Sequence, residues 1–345
     1  RSVFAVLGPD AVLAALGDER AVVRRVAIDE AVVTRDLRAG PRLVELLQDG
    51  EQPDEVRRAA AHAVGQLHLT IASEPLVALI VAPETVPLVR RECLVALGRT
   101  GGAQAFGVLD RALRAPVPED REAALRGLGE LRDPRAAHTL AELAVIANGK
   151  DLGSLAMLYL GRMGASLAVP AIRHQAQIQQ DPAIHDELVL LLGGYQDPEA
   201  IPELMQLLRT PRHEADARVA LMGTTGIDLG AAEDPWTVVD EWWRANRNKP
   251  QWQWLLDGLA RADAATLLRP EHFGPSVEKE AIPELARLLT ELDQPYLFVL
   301  ASAVLRTVAR EDFGVVSMQT SREARNGIAA RYRVLYETSK AAQNR

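Results

Sequence analysis

The chain has 345 residues, a formal net charge of −8, 48% hydrophobic residues and only 4% aromatic residues. Its 47 acidic side chains outnumber 39 basic ones, which argues against a surface that tracks phosphates, and no nucleic-acid partner is expected. No run approaches the roughly 18 uninterrupted apolar residues of a membrane span, and the single cysteine, Cys93, allows no internal disulfide.

In chain order, residues 1–16 place Val3, Val6, Leu7, Val12, Leu13 and Leu16 at helical spacing and read as an amphipathic capping helix. Arg-Arg pairs then occur at Arg24-Arg25, Arg57-Arg58 and Arg90-Arg91, 33 residues apart. A glycine closing an apolar run recurs at Gly65, Gly98, Gly129, Gly161, Gly193 and Gly223. This periodicity divides residues 17–211 into six units at about 17–49, 50–83, 84–116, 117–148, 149–180 and 181–211. Each reads as two helices. Val56, Ala59, Ala60, Ala63 and Val64 make the buried stripe of a first helix. Asp54 is placed to cap it, and Gly65 stands near its end, where positive φ is expected. Leu43, Leu46 and Leu47 mark a second helix, as do Leu204, Leu207 and Leu208. Asp133-Pro134 and Asp197-Pro198 mark connections between helices.

A helix pair of this size buries its stripe only by stacking on its neighbours, which predicts a solenoid. The unit Asp-x-x-Arg-x-x-Ala-x-x-x-Leu/Val-Gly followed by Asp-Pro-x-Ala-x-x-x-Leu resembles HEAT repeats, and the form typical of phycobilin lyases in particular. The resemblance spans about residues 17–222, and 275–310 more loosely. It implies an all-α fold, a right-handed α-α superhelix of stacked antiparallel helix pairs. Residues 1–222 are expected to form the regular array with its capping helix. Residues 223–345 are expected to continue it with a tryptophan-rich insert and variant capping repeats. Function does not follow from such a fold.

The fifth unit is irregular, with a polar second helix from Ala171 to Gln180. After His213 the pattern breaks at Thr224-Thr-Gly-Ile-Asp-Leu-Gly230, and all five tryptophans lie between Trp236 and Trp254. Spacing puts Trp236, Val239, Trp242 and Trp243 near one helical face. They read either as a hydrophobic plug or as an anchor for a partner. Asp312-Phe-Gly314 echoes Asp228-Leu-Gly230, with Arg331-Tyr-Arg-Val-Leu-Tyr336 after it. Residues 264–275 are loop-like, and the polar tail from Ser339 is expected to fray.

Resemblance to deoxyhypusine hydroxylase, another HEAT-like family, would imply a di-iron site held by repeated His-Glu pairs. Only His213-Glu214 is present, so that activity is rejected, and His185 and His272 are isolated. No phosphate loop, nucleophile elbow or dinucleotide fingerprint occurs. No catalytic residue, metal ligand or cofactor is therefore expected, and the leading expectation is a non-enzymatic scaffold that binds an acidic or extended protein partner. Its contact residues would be Arg111, Arg114, Arg173, His174, Gln177, Gln206 and Arg209, forming a basic strip on the second helices, with Trp242 and Trp243 in the insert. The rival expectation is a ligand- or metal-binding enzyme, lyase- or hydroxylase-like. Its pocket would lie between the repeats and the insert, walled by Trp242 and Trp243 and edged by His213 or Glu214. The phycobilin-lyase likeness would put a tetrapyrrole in a concave groove. A third expectation is a segment of a larger assembly. The cytoplasm is slightly favoured, and the start at Arg1 leaves export to the periplasm open.

Overall fold

The computed structural model describes residues 9–145, 150–264 and 279–343. Regular structure among these is entirely helical, and the chain divides into two compact units, Arg1–Met163 and Gly164–Arg345. The break in the repeat pattern after residue 222 falls inside the second unit.

The first unit contains α1 (Pro9–Ala15), α2 (Ala21–Thr34), α3 (Gly40–Gln48), α4 (Asp54–Gln66), α5 (Ser73–Val81), α6 (Pro87–Thr100), α7 (Ala105–Ala112), α8 (Pro118–Glu130), α9 (Pro134–Ala144) and α10 (Lys150–Leu160). First helices α2, α4, α6 and α8 lie side by side. Each second helix packs chiefly on the first helix of the next pair, α3 on α4, α5 on α6, α7 on α8 and α9 on α10. The leucines of the second helices and the alanines of the first are buried together, among them Leu43, Leu47, Ala60, Ala63, Leu76 and Leu97.

Two sequence expectations are corrected. Gly65, Gly98, Gly129, Gly193 and Gly223 do not adopt positive φ. They are required by close approach instead. A Cβ on Gly65 would lie 3.0 Å from the Ala96 Cα, and one on Gly98 would overlap the Gly127 carbonyl. The left-handed residue comes three positions later, at His68, Gly101, Gln196 and Gly226, where the chain leaves the first helix. Asp54, secondly, is not the cap of α4. Pro53 holds that position, and Asp54 and Glu55 lie in the first turn, where their charge favours the helix dipole. Aspartates do cap elsewhere, two of them at the Asp-Pro connections. Asp133 accepts from the Arg135 N–H and Asp197 from the Glu199 N–H.

The paired arginines divide their labour. The first of each pair reaches back to carbonyls at the end of the preceding pair. Arg24 donates to Asp18 O and Glu19 O, Arg57 to Leu47 O, and Arg90 to Ala82 O, Pro83 O and Thr85 O. Arg121 repeats this on Ala115 O and Pro116 O. Carbonyls left over at a helix end need donors, and the recurrent arginine supplies them. The second arginine varies: Arg25 pairs with Asp29 on its own helix, Arg58 is exposed, and Arg91 pairs with Asp120 of the next first helix at 2.7 Å.

The second unit contains α11 (Ala165–Ile178), α12 (Pro182–Gly194), α13 (Ile201–Leu207), α14 (Glu214–Thr225), α15 (Pro235–Asn246), α16 (Gln251–Arg261), α17 (Ile282–Glu291), α18 (Pro295–Ala309) and α19 (Arg322–Gln343). Helix α14 packs on α12 and on α18, and α18 also packs on α16 and α17. Every residue of α18 from Leu297 to Arg306 is buried. At the insert the direction is reversed, with Arg218 donating forward to Leu229 O and Ala232 O. The Asp228 and Asp312 turns share one geometry, each Oδ1 accepting the N–H of the glycine two residues on at 2.9 Å. His272 and most of residues 264–275 lie outside the described residues, as do residues 1–8 of the capping segment.

Candidate functional site

The residues singled out from sequence fall in both units. In the first, Arg111 is exposed on α7 and Arg114 just beyond its end, and Arg114 is paired with Asp110 at 2.6 Å. In the second, His174 and Gln177 are exposed on α11, and Gln206 is exposed on α13. Arg173 is half-buried between Asp197 and Glu199. Its hydrogen bond to Asp197 raises its pKa, so its charge is balanced locally. Arg209 lies 3.8 Å above the centroid of the Trp236 ring. Arg114 and Arg173 thus meet carboxylates within their own units.

The tryptophans separate into two sites. Trp242 and Trp243 stack with centroids 6.4 Å apart, and Trp254 meets both edge-on at 5.1 and 6.1 Å. Trp254 is buried, and its indole N–H donates to Asn246 O at 3.0 Å. Trp242 and Trp243 are half-buried. Trp236 stands apart beneath Arg209. The three rings close on one another. His213 is itself buried, 3.6 Å from Asp186, and Glu214 pairs with Arg218. No group of three or more metal-ligating side chains is assembled among the described residues.

The cavity lies elsewhere in the second unit. It measures about 440 Å³ and opens between the N-terminal turn of α11, the turn joining α12 to α13, and the C-terminal end of α18. One wall is Ala165, Ser166 and Val169, another Tyr195 to Pro198, and the third Ala303, Arg306, Thr307 and Arg310 to Asp312. Gln251 is the one residue of the tryptophan-bearing helices to reach it.

These walls are fixed by hydrogen bonds. Gln196 is buried with φ +57, and its backbone carbonyl accepts from Gln251. Asp312 accepts from the Ala165 N–H at 2.7 Å and from the Gly314 N–H at 2.9 Å, so a carboxylate from beyond α18 holds the start of α11. Tyr195 is buried, and that burial pushes its phenol pKa up. Arg306, 9% exposed, donates through Nη2 to Tyr195 O at 2.8 Å and Gln196 Oε1 at 2.7 Å. Its Nη1 is buried without an acceptor, and burial lowers its pKa, partly opposed by Asp312. Sequence reasoning missed Arg306. The available signal was a lone charge within an otherwise apolar helix, Leu297 to Val308.

Among family models, the PBS lyase HEAT-like repeat matches residues 120–145, the span of α8 and α9. The chain is a HEAT-like repeat protein. No curated protein matches it. Solved structures similar to this HEAT-like protein include a crystal structure of an engineered protein, at 16% identity, covering 95% of this chain and 98% of that one with a TM-score of 0.36. Another is the complex of CpcE and CpcF of phycocyanin lyase from Nostoc sp., at 18% identity, 87% and 94% coverage and a TM-score of 0.29. One expectation is corrected here. The repeat model that matches is named for a lyase. The expectation that the chain is not an enzyme is therefore withdrawn.

Proposed function

We propose that this HEAT-like repeat protein binds a small molecule in the cleft of its second unit. The observation carrying this reading is the cavity of about 440 Å³ with buried polar groups in its walls. That volume lies within the range of roughly 300–1,000 Å³ typical of ligand sites. Walls held by Asp312, Gln196 and Arg306 are pre-organised, which lowers the ordering cost of binding. The role of the repeats is to fix three separate segments around one space. Whether the ligand is held or transformed is decided by assaying turnover once a ligand is known.

A saturation-transfer NMR screen of a fragment library tests this, with Ser166→Trp beside the wild type. Ser166 lies on the cleft wall and is partly exposed, so an indole there fills the space without disturbing the core. Fragments bound by wild type and lost in Ser166→Trp are expected. An empty screen, or one indifferent to Ser166→Trp, counts against the cleft.

A second reading is favoured by α5. Ile71, just before it, is 58% exposed and Val81, at its end, is 59% exposed, while the adjoining α7 carries Arg111, with Arg114 just beyond its end. We propose this face for an acidic, partly apolar protein segment. Arg111→Glu with Val81→Glu should abolish any partner captured from the native source by wild type. Retention of every partner by that variant removes this reading.

A further inference from the structure

Three arginines are largely buried in the described structure: Arg57, Arg306 and Arg325. Two have clear structural duties. Arg57 donates to Leu47 O. Arg325 gives Nη1 to Leu289 O and Leu292 O beyond the end of α17, and its guanidinium lies 3.9 Å above the Phe298 ring. Other arginines also bury an unpaired nitrogen. In Arg24, Arg90 and Arg325 it is the inner Nε, while a terminal nitrogen is engaged, and Arg25 has Asp29 beside it. Arg306 differs in that a terminal nitrogen is buried and unpaired, in a side chain lining a cavity.

Its charge has no directly paired carboxylate, and Asp312 favours it only from beyond ion-pair distance. No carboxylate among the described residues lies within ion-pair distance of Arg306. Asp312 is committed to two backbone N–H groups, and Asp197 to Arg173. The end of α12, where Tyr195 presents its carbonyl, supplies only the partial negative charge of a helix C-terminus. A guanidinium stays protonated in proteins, and a buried charge without a counter-ion is costly. The missing element is an anion.

We propose that the cleft takes a carboxylate-bearing small molecule, and that its carboxylate is the counter-ion of Arg306. This rests on the cleft being a ligand site. The choice of a monoanion over a phosphate comes from the walls. Two cations, Arg306 and Arg310, line the space against three carboxylates, Asp197, Glu311 and Asp312, and that acidic balance would repel a second negative charge. Arg306 lines the cavity and its Nη1 is buried without an acceptor, so this is the nitrogen left for the ligand. A planar carboxylate matches the fork of N–H donors. Thr307, Ser166 and Gln251 offer hydrogen bonds to the ligand's remaining polar groups, and Val169 and Ala303 contact its apolar body.

The test is a titration of the full chain, by NMR or calorimetry, with matched acid and amide pairs: benzoate against benzamide, and glutarate against glutaramide. Each acid is expected to bind at least about tenfold tighter than its amide, as a charge-assisted pair requires. Arg306→Gln should erase that preference. Because Arg306 is a packed hub, Thr307→Glu provides a second variant, placing a negative charge on the cleft wall beside it. It removes the Thr307 hydroxyl for acid and amide alike, so the readout is the ratio: the acids should weaken by about tenfold or more relative to their amides. Equal binding of acids and amides by wild type overturns the inference, as does an acid preference that survives both variants. If neither acids nor amides bind while neutral fragments occupy the cleft, the carboxylate inference fails and the ligand site stands. If no fragment binds either, the cleft reading fails with it.

Discussion

Replacing Gly98 with alanine measures what the recurrent glycine contributes. A Cβ there would overlap the Gly127 carbonyl of α8, with the Gly127 Cα 2.7 Å away. Both contacts are backbone, so no rotamer change relieves them, and α6 must move against α8. An alanine in an unobstructed helix would stabilise by roughly 0.5–1 kcal/mol relative to glycine. Overpacking costs about 1–3 kcal/mol, and backbone displacement belongs at the upper end. The expected net loss is about 2 kcal/mol. Gly107→Ala in α7 is the internal control, since its Cβ would meet nothing within 4 Å. It should gain a few tenths to about 1 kcal/mol. Urea unfolding followed by far-UV circular dichroism reads both, on the transition of the first unit where both glycines lie. The m-value should be unchanged and the midpoints should move in opposite directions. If Gly98→Ala matched wild-type stability, or both variants moved the same way, the close backbone contact of α6 with α8 would be refuted.

Asp133→Ala removes the cap of α9 and should cost about 1 kcal/mol at neutral pH. The hydrogen bond from Arg135 holds the Asp133 carboxyl below its usual 3.8. Its contribution is therefore complete above that value and fades as pH falls through the lowered one. The stability gap between wild type and variant should close in acid, and a gap of constant size from pH 7 to about 2 would remove this explanation. Burial pushes the Cys93 thiol up to about 12. Iodoacetamide near pH 8 should leave the folded protein unlabelled and modify it fully in urea, because only the thiolate reacts. Rapid labelling of the native chain would place Cys93 at the surface.

The helix pairs were legible because their determinants are local and repeat. The alanine and leucine stripes, the Asp-Pro caps and the glycine stations all recur within about 33 residues. What the glycines do was not legible, since close approach depends on a partner helix one repeat away. Periodicity alone does not separate that role from positive φ. The Trp cluster shows the same limit. Spacing on α15 grouped Trp236 with Trp242 and Trp243, but Trp254 from α16 selects the latter two, and Arg209 takes Trp236. The cleft lay furthest from sequence reasoning. Arg306 meets Gln196 across 110 positions, and Asp312 meets Ala165 across 147.

A site of this kind arises where a repeat array departs from its own rule. In the first unit, polar groups on the first helices are satisfied one repeat onward, as in His62 with Glu92, Arg91 with Asp120 and Arg99 with Glu130. The groove between α4, α6 and α8 is accordingly lined by charges of both signs, which leaves little to recognise a ligand. In the second unit, Pro170 sits inside α11, Gln196 turns left-handed, and the residues after α18 reach back to hold the start of α11. Local regularity is given up there, and the same place keeps a cavity and a buried guanidinium with no directly paired carboxylate. Departures from local rules mark functional sites when nothing structural is gained by them. The other two buried arginines each secure a helix end, whereas Arg306 leaves a terminal donor unused beside open space. That contrast, more than the cavity's size, directs the search for activity to the second unit.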